Sequence, residues 1–363
     1  MAFARALDLL SRYRAGRAVR RRLSVGKRLV KGWARALRGQ PTVPVPPPAS
    51  PGDAAATAQV QTVWDQAATE GFLRELMRRS WLHIRQVNEN HNHLVTGRRD
   101  YHWLRYLRDR YFPDGFAGDT LSLGCGEGHF DRTVKEMGFH FRSFTGIDVS
   151  PAAVQKAQHL ADAMQLSPRT HYFVADLNQY EVPKRSYDFI FFFHSLHHIE
   201  ALERSLRSVA AALRPGGLLM VNEFVGPSRF QWTPTQVAMA NRLILMLPEE
   251  IRVDLMGDGR KLKTKSVTPT VAELMAGDPS EAVRSADIDR VLKQHFEILE
   301  EKPWGGTLNY LVFENIAGNF NPDHPYHRCI IELLIEHENV LVEHNILPSD
   351  FKVYMAKPKK GLW

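Results

Sequence analysis

Cysteine is almost absent from this 363-residue chain: Cys125 and Cys329 are its only two. Two thiols cannot build a disulfide framework or a cysteine-only zinc site, and so few fit a reducing compartment. Long hydrophobic runs are missing as well. No stretch approaches the roughly 18 continuous apolar residues that a spanning helix needs, which excludes an integral membrane protein. Acids are scarce in one place only. Residues 1–40 hold twelve Arg and Lys but a single acid, Asp8. The whole chain carries a formal +7, so the +11 of this segment leaves −4 on everything after it. The average charge points to nucleic acid or an anionic membrane. Divided by position, it belongs to a tail and not to the globular part.

Apolar residues make up 44% of the chain, which is enough for a sizeable core and excludes wholesale disorder. The length suits one large domain or two ordinary ones. The basic tail (1–40) is followed by Pro41, Pro44, Pro46, Pro47, Pro48 and Pro51, which mark a semi-rigid linker over about 41–55. Within the tail, Leu29, Val30, Trp33 and Leu37 can share one helical face while Lys31, Arg35 and Arg38 lie elsewhere. A basic amphipathic segment reads as a membrane-surface or partner-binding element. A solvated extension and an Arg-rich transit peptide are the alternatives. Arginines interrupt every apolar run, which argues against a secretory signal.

Residues 56–117 read as a helical cap, with apolar positions recurring at three- and four-residue steps: Val63, Trp64, Phe72, Leu73, Leu76, Trp81 and Ile84, then Tyr101 to Phe112. The polar run Asn88–Leu94 lies between them and is expected to fold over a pocket. From residue 118 the pattern alternates strand and helix. Strands are expected at Thr120–Leu123, Phe144–Val149, Tyr172–Val174, Tyr187–Phe193 and Leu218–Glu223, with helices near 129–138, 151–164 and 200–213. Arg214-Pro-Gly-Gly217 reads as a turn. Phe296–Glu301 and Phe351–Ala356 complete seven strands. Such alternation predicts an α/β fold with a doubly wound, mostly parallel sheet. Insertions are expected at about 225–290 and 303–348.

The informative segment is Leu121-Ser-Leu-Gly124-Cys-Gly126-Glu-Gly128, which follows a strand and opens a helix. Glycines there let the backbone turn sharply and approach a ligand closely. The third glycine comes one residue earlier than in the dinucleotide fingerprint, where His129 stands instead. Three further stations follow at strand ends. Gly146-Ile-Asp148 offers an acid about 20 residues past the loop, placed to accept from two ribose hydroxyls. Ala175-Asp176-Leu177 offers a carboxylate for an exocyclic amine and an apolar surface for a ring. The fourth strand ends Phe193-His194-Ser195.

In that order and at that spacing, with Leu213-Arg-Pro-Gly-Gly217, these motifs resemble the class I S-adenosylmethionine-dependent methyltransferases over about 118–225. The resemblance implies a Rossmann-like methyltransferase fold. It implies that Gly124, Cys125 (through its backbone) and Gly126 hold the methionine part of S-adenosyl-L-methionine. Asp148, with Val149 beside it, would hold the ribose, Asp176 and Leu177 the adenine, and His194 would line the pocket near the sulfonium. Other stretches resemble a narrower group of bacterial methyltransferase-domain proteins: Asn222–Trp232, Asp278–Arg284 and Leu347–Phe351. That group implies a small-molecule, glycan or lipid-linked acceptor. The long basic tail departs from the compact family pattern.

An oxygen or nitrogen acceptor must lose a proton, so a general base is sought. His197 and His198 follow the fourth strand and titrate near neutrality. The alternative for the pair is a cap on the next helix. Glu223 ends the fifth strand and is expected at the pocket rim, with a salt bridge to Arg229 as its structural alternative. No metal site is expected: His91 and His93 lack an acidic or thiol partner nearby, and His337 and His344 read as part of a solvated helix face. Arg260, Lys261, Lys263 and Lys265 read as a mobile surface loop, with a phosphate contact as the alternative. The net acidity outside the tail, and the absence of an Asn/Asp-Pro-Pro-aromatic signature after the fourth strand, make a nucleic-acid substrate unlike this chain. A non-catalytic, ligand-binding scaffold is the other alternative. The expected location is cytoplasmic, or peripheral to the inner face of a membrane.

Overall fold

The computed structural model describes residues 54–68, 78–256 and 260–361. The basic tail and most of the proline linker lie outside the described residues, as do Phe72, Leu73 and Leu76. Helix begins at Ala54, so the last two linker positions belong to it.

Seven strands form one sheet: β1 (Ala117–Leu123), β2 (His140–Asp148), β3 (Thr170–Val174), β4 (Tyr187–Phe193), β5 (Leu213–Phe224), β6 (Phe296–Gly305) and β7 (Phe351–Pro358). Their order across the sheet is β3-β2-β1-β4-β5-β7-β6. The first five run parallel, and β7 is antiparallel to both of its neighbours. Chain order reverses direction between β1 and β4. That reversal opens a crevice beyond the strand ends, where open sheets of this kind bind ligands.

The aromatic run of β4 shows why this strand is central. Phe189, Ile190, Phe191 and Phe192 are all buried, as a strand covered on both faces requires. Alternation sends them to opposite sides. Phe189 stacks on Phe139 and meets Phe112 and Phe116. Ile190 and Phe192 join Leu121, Leu123 and Val221 in a cluster with Leu202, Leu206 and Val209 of α6 (Leu202–Ala212) and Val291 and Leu292 of α9 (Ile288–His295). Each such side chain contributes roughly 1.5–3 kcal/mol when fully buried.

Between the parallel strands lie α4 (His129–Glu136) and α5 (Pro151–Ala163). The α5 helix starts where Ser150 caps it by accepting from the Ala153 N–H, with Pro151 in the first turn. Ahead of the sheet come α1 (Ala54–Ala67), α2 (Arg85–Thr96) and α3 (Trp103–Tyr111). Beyond β5 come α7 (Pro234–Met246) and α8 (Val271–Gly277), each opened by a capping box: Thr233 with Gln236, and Thr270 with Glu273. Between β6 and β7 lie α10 (Asn309–Phe313) and α11 (Pro325–Glu343). No helix among the described residues is long and apolar enough to cross a membrane.

Three expectations need correction, and a fourth needs a limit. Arg214–Gly217 is not a free turn: β5 begins at Leu213, and its pairing with β4 shifts register between Tyr187 and Phe189. Gly216, at φ 84°, supplies the left-handed residue such a bulge needs. Asn88–Leu94 is not an open polar run over a pocket but part of α2. There His91 is buried, sandwiched between Trp103 and Trp304. His344 on α11 is exposed and His337 half-buried, but another face of this helix is not solvated. Its Glu338 is buried and accepts from the Gly306, Leu308 and Asn309 amides. Lys263 does not belong to a mobile surface cluster: its ammonium is buried against the carbonyls of Leu311, Val312 and Glu314 at the end of α10.

Candidate active site

A cleft of about 340 Å³ lies at the carboxyl ends of the parallel strands. Its floor is the loop after β1, its walls are the ends of β2, β3 and β4, and Thr57, Val60 and Trp64 of α1 line it from the cap. Pro279, Ser280 and Val283 close it from the insertion after β5.

The loop residues Gly124, Gly126 and Gly128 all have positive φ, at 67°, 50° and 67°. The need for glycine differs between the first two. A Cβ on Gly124 would come within 2.4 Å of the Ser195 side chain, so close contact between the loop and the β4 end forbids one. A Cβ on Gly126 would meet nothing within 4 Å, so it borders open space. The Gly126 N–H donates to Asp148 Oδ2 at 2.8 Å, and the Ser150 N–H donates to Oδ1 at 2.9 Å. Asp148 therefore ties the loop to the start of α5 and keeps further acceptor capacity on both oxygens. Burial raises its pKa against the pull of these amide donors. Burial also raises that of the Cys125 thiol, and Cys125 lines the cleft.

Asp176 is more fully engaged. Its Oδ1 accepts from the Asn178 N–H and side chain, and its Oδ2 accepts from Thr57 and Gln179. Asp176 thus closes the turn after β3, with one further bond made to the cap helix. Val149 and Leu177 line the cleft beside it. His194 also lines it, with φ 50°, and its ring lies against Phe193 and Phe351. Burial drives its pKa down to about 4, so it is neutral at ordinary pH.

The two histidines after β4 have different environments. His197 is wedged between carboxylates: its Nδ1 lies 2.5 Å from Glu223 Oε1 and its Nε2 lies 3.4 Å from Glu281 Oε1. Burial alone would push this imidazole down, but Glu223 and Glu281 overcome it and hold its pKa at about 10. It is a buried cation at neutral pH and cannot accept a proton there. His198 lines the cleft itself. Its Nδ1 is 2.9 Å from Ser280 Oγ, and Trp64 of α1 meets its ring edge-on at 5.2 Å. Burial, then the neighbouring His197 charge, lower its pKa and keep it neutral.

Glu223 does not reach the cleft. It is fully buried, and Oε2 accepts from the Ser195 and Leu196 amides at 2.9 and 2.6 Å. The alternative, a bridge to Arg229, is absent among the described residues; that guanidinium donates to the Pro279 and Glu281 carbonyls instead. Burial in β5, next to the central strand, with four donors converging on the carboxylate (the Ser195, Leu196 and Phe224 amides and His197 Nδ1), explains why it faces inward. Trp232 is likewise buried, donating to Asp350 and stacking on Phe230.

Gly124, Cys125, Gly126, Asp148, Val149, Asp176, Leu177, His194 and His198 therefore share one cleft, whereas His197 and Glu223 stand behind it. Sequence reasoning missed Thr57 and Trp64 from the cap, Ser122 and Asp131 beside the loop, and Glu281. His197, His198 and Glu281 bring one ligand atom each within 4.8 Å of one another, a grouping that the linear spacing of the two histidines did not reveal. Ser122 and Asp131 carried a local signal, one inside the segment that ends in the glycine loop and the other in the first turn of the helix that the loop opens.

Residues 121–221 match the model of a methyltransferase domain. The chain is 27% identical to a demethylmenaquinone methyltransferase of Tropheryma whipplei over 204 residues, which cover 56% of this chain and 72% of that protein. It is 31% identical to the 27-O-demethylrifamycin SV methyltransferase of Amycolatopsis mediterranei over 110 residues, or 30% of this chain and 40% of that one. Among solved structures, phosphoethanolamine N-methyltransferase 2 of Haemonchus contortus, in complex with S-adenosyl-L-methionine, aligns with a TM-score of 0.43 at 15% identity. That alignment covers 70% of this chain and 52% of the other.

Proposed function

Since residues 121–221 form a class I S-adenosylmethionine-dependent methyltransferase domain, we propose that the chain transfers the methyl group of that cofactor to a small-molecule acceptor, free or carried on a lipid or glycan. The observation that supports this reading best is that the four strand-end stations open onto one cleft. The residues suit the cofactor: open space stands over Gly126, and Asp148 has acceptor capacity beyond its amide donors. In this assignment Gly124, Cys125 and Gly126 hold the methionine part through the backbone. Asp148 and Val149 hold the ribose, Leu177 packs on the adenine, and Asp176 accepts its amine in competition with Thr57. His194 lies near the sulfonium.

The cofactor supplies an electrophilic methyl group. The chain's part is to align the acceptor, exclude water and take up any proton, and most of the rate gain of such a site comes from positioning. Of the two histidines, His198 is the base in this proposal, because it borders the cleft and is neutral. The buried pair His197–Glu223 positions it and the backbone turn on which both histidines sit. Helix α1 closes the site, and Trp64 orients the His198 ring. The insertions after β5 and β6 form the acceptor side.

The basic tail is proposed to hold the enzyme at an anionic membrane surface, within reach of lipid-linked acceptors. The supporting observation is its charge of +11 against −4 for the rest of the chain. The direct test of the activity is a screen of cell extract fractions for release of S-adenosylhomocysteine. A fraction that supports turnover by the wild type and not by Gly126→Arg identifies the acceptor class. Release that is equal with and without the protein in every fraction would refute the reading.

A further inference from the structure

A buried carboxylate in the wall of the cleft has only one cation near it, Arg132 of its own helix, and makes no ion pair with it. Asp131, in the first turn of α4, is 1% exposed and lines the cleft together with Ser122. Its Oδ1 accepts from Ser122 Oγ at 2.7 Å and its Oδ2 from the Tyr172 hydroxyl at 2.9 Å. Among the described residues it forms no ion pair. Taking a carboxylate out of water is costly unless a charge or several donors compensate it. Two neutral hydroxyls orient this group without neutralising it, and each oxygen retains room for another donor.

We propose that Asp131 receives the α-ammonium group at the methionine end of the cofactor, with Ser122 and Tyr172 fixing the direction of its carboxylate. The inference rests on the cofactor reading above. Two cationic groups come with this ligand, and only one can donate hydrogen bonds: the ammonium has three N–H donors and the sulfonium has none. The ends of the ligand are assigned by their chemistry, ribose at Asp148 and adenine at Leu177. That leaves the β1–α4 side of the loop, where Ser122 and Asp131 stand, for the amino-acid end. The carboxylate thus comes from the helix after the glycine loop, while β1 contributes only a hydroxyl.

The groups facing Asp131 are the Tyr172 phenol from β3, Arg132 from its own helix, Asp148 from the end of β2 and the Cys125 thiol from the loop. Burial, the largest influence, raises the Asp131 pKa to about 7 against the pull of its two hydroxyl donors and Arg132. An ammonium at hydrogen-bond distance would lower it again. Cofactor binding near neutral pH is therefore coupled to loss of a proton from this carboxyl.

The test uses the full chain and two ligands: S-adenosylmethionine, and 5′-methylthioadenosine, which lacks the amino-acid end. Isothermal titration at about pH 7 in phosphate and in Tris reads the proton release from the difference in heats. Wild type is expected to release roughly half a proton on binding S-adenosylmethionine and none on binding methylthioadenosine. Asp131→Asn keeps the shape, and either hydroxyl can reverse its role. The variant should bind S-adenosylmethionine roughly tenfold or more weaker, without proton release, and bind methylthioadenosine as wild type does. Equal S-adenosylmethionine affinity in both proteins would overturn the proposal. So would equal weakening for both ligands, which would make Asp131 a structural group. Failure of the wild type to bind S-adenosylmethionine at all would instead remove the cofactor reading beneath it.

Discussion

Replacing Glu223 with Gln tests the buried charge pair behind the cleft. The substitution preserves size and one acceptor oxygen but removes the charge. In the wild type Oε2 serves two amides, and Oε1 serves His197 Nδ1 and the Phe224 amide. A carboxamide has only one oxygen, so its NH₂ must face either the amides or the imidazole, donor against donor. Breaking a buried pair on one side costs roughly 3–5 kcal/mol. His197 can discharge and Glu281 remains beside it, so about 3 kcal/mol is expected. The pH dependence has a definite sign. His197 is held at about 10 when folded, against an ordinary 6.5, so its contribution is fully present below 6.5 and disappears as pH rises through 10. At about 1.36 kcal/mol per pH unit the ceiling is ~5 kcal/mol. Glu281, held at about 2 against 4.5, contributes fully above 4.5 and loses its contribution as pH falls through 2. The network is therefore strongest between those two ordinary values. Urea unfolding at about pH 6 and about pH 9.5 should show the wild type losing roughly 4 kcal/mol on the alkaline side. Glu223→Gln should begin about 3 kcal/mol lower and change much less. A variant within about 0.5 kcal/mol of wild type at pH 6, or the same alkaline slope in both, would refute the reasoning.

Three further perturbations test other parts of the chain. His198→Ala should lower kcat by roughly 10²–10⁴-fold with cofactor affinity nearly intact if the acceptor must lose a proton; a wild-type rate removes His198 from the chemistry. Lys263→Met leaves the carbonyls of Leu311, Val312 and Glu314 without their shared donor, and a loss of about 2 kcal/mol is expected in urea unfolding; unchanged stability would mean that water replaces the ammonium at no cost. Deleting residues 1–50 should leave cofactor binding unchanged and reduce sedimentation with anionic vesicles, most clearly at low salt; equal sedimentation of the two proteins would contradict a membrane role for the tail.

Much of the fold was legible because parallel strands buried on both faces announce themselves. Tyr187–Phe193 has the same bounds in the sequence and in the sheet. The glycine loop and the acids at 148 and 176 are local features of strand ends, so reading along the chain places them in one crevice. What was not legible depends on contacts between distant segments. Glu223 looked like a rim residue because it ends a strand. Its inward direction is set by the turn after β4, whose amides it accepts from a separation of 27 and 28 residues. Glu281 meets His197 across the insertion after β5, which has no motif. Thr57 reaches Asp176 across 119 positions. The bulge at Arg214–Gly217 read as a turn because proline and glycine punctuate both.

The central claim is that the cleft over the glycine loop binds S-adenosylmethionine. Gly126→Arg tests it most directly, because nothing surrounds the position where its Cβ would lie. The new side chain has room to project into the cleft, and the fold bears only a left-handed backbone penalty of roughly 1–2 kcal/mol. Isothermal titration should show one S-adenosylmethionine bound per wild-type chain and none per variant chain, with both proteins still folding cooperatively. Undiminished binding by the folded variant would contradict the account.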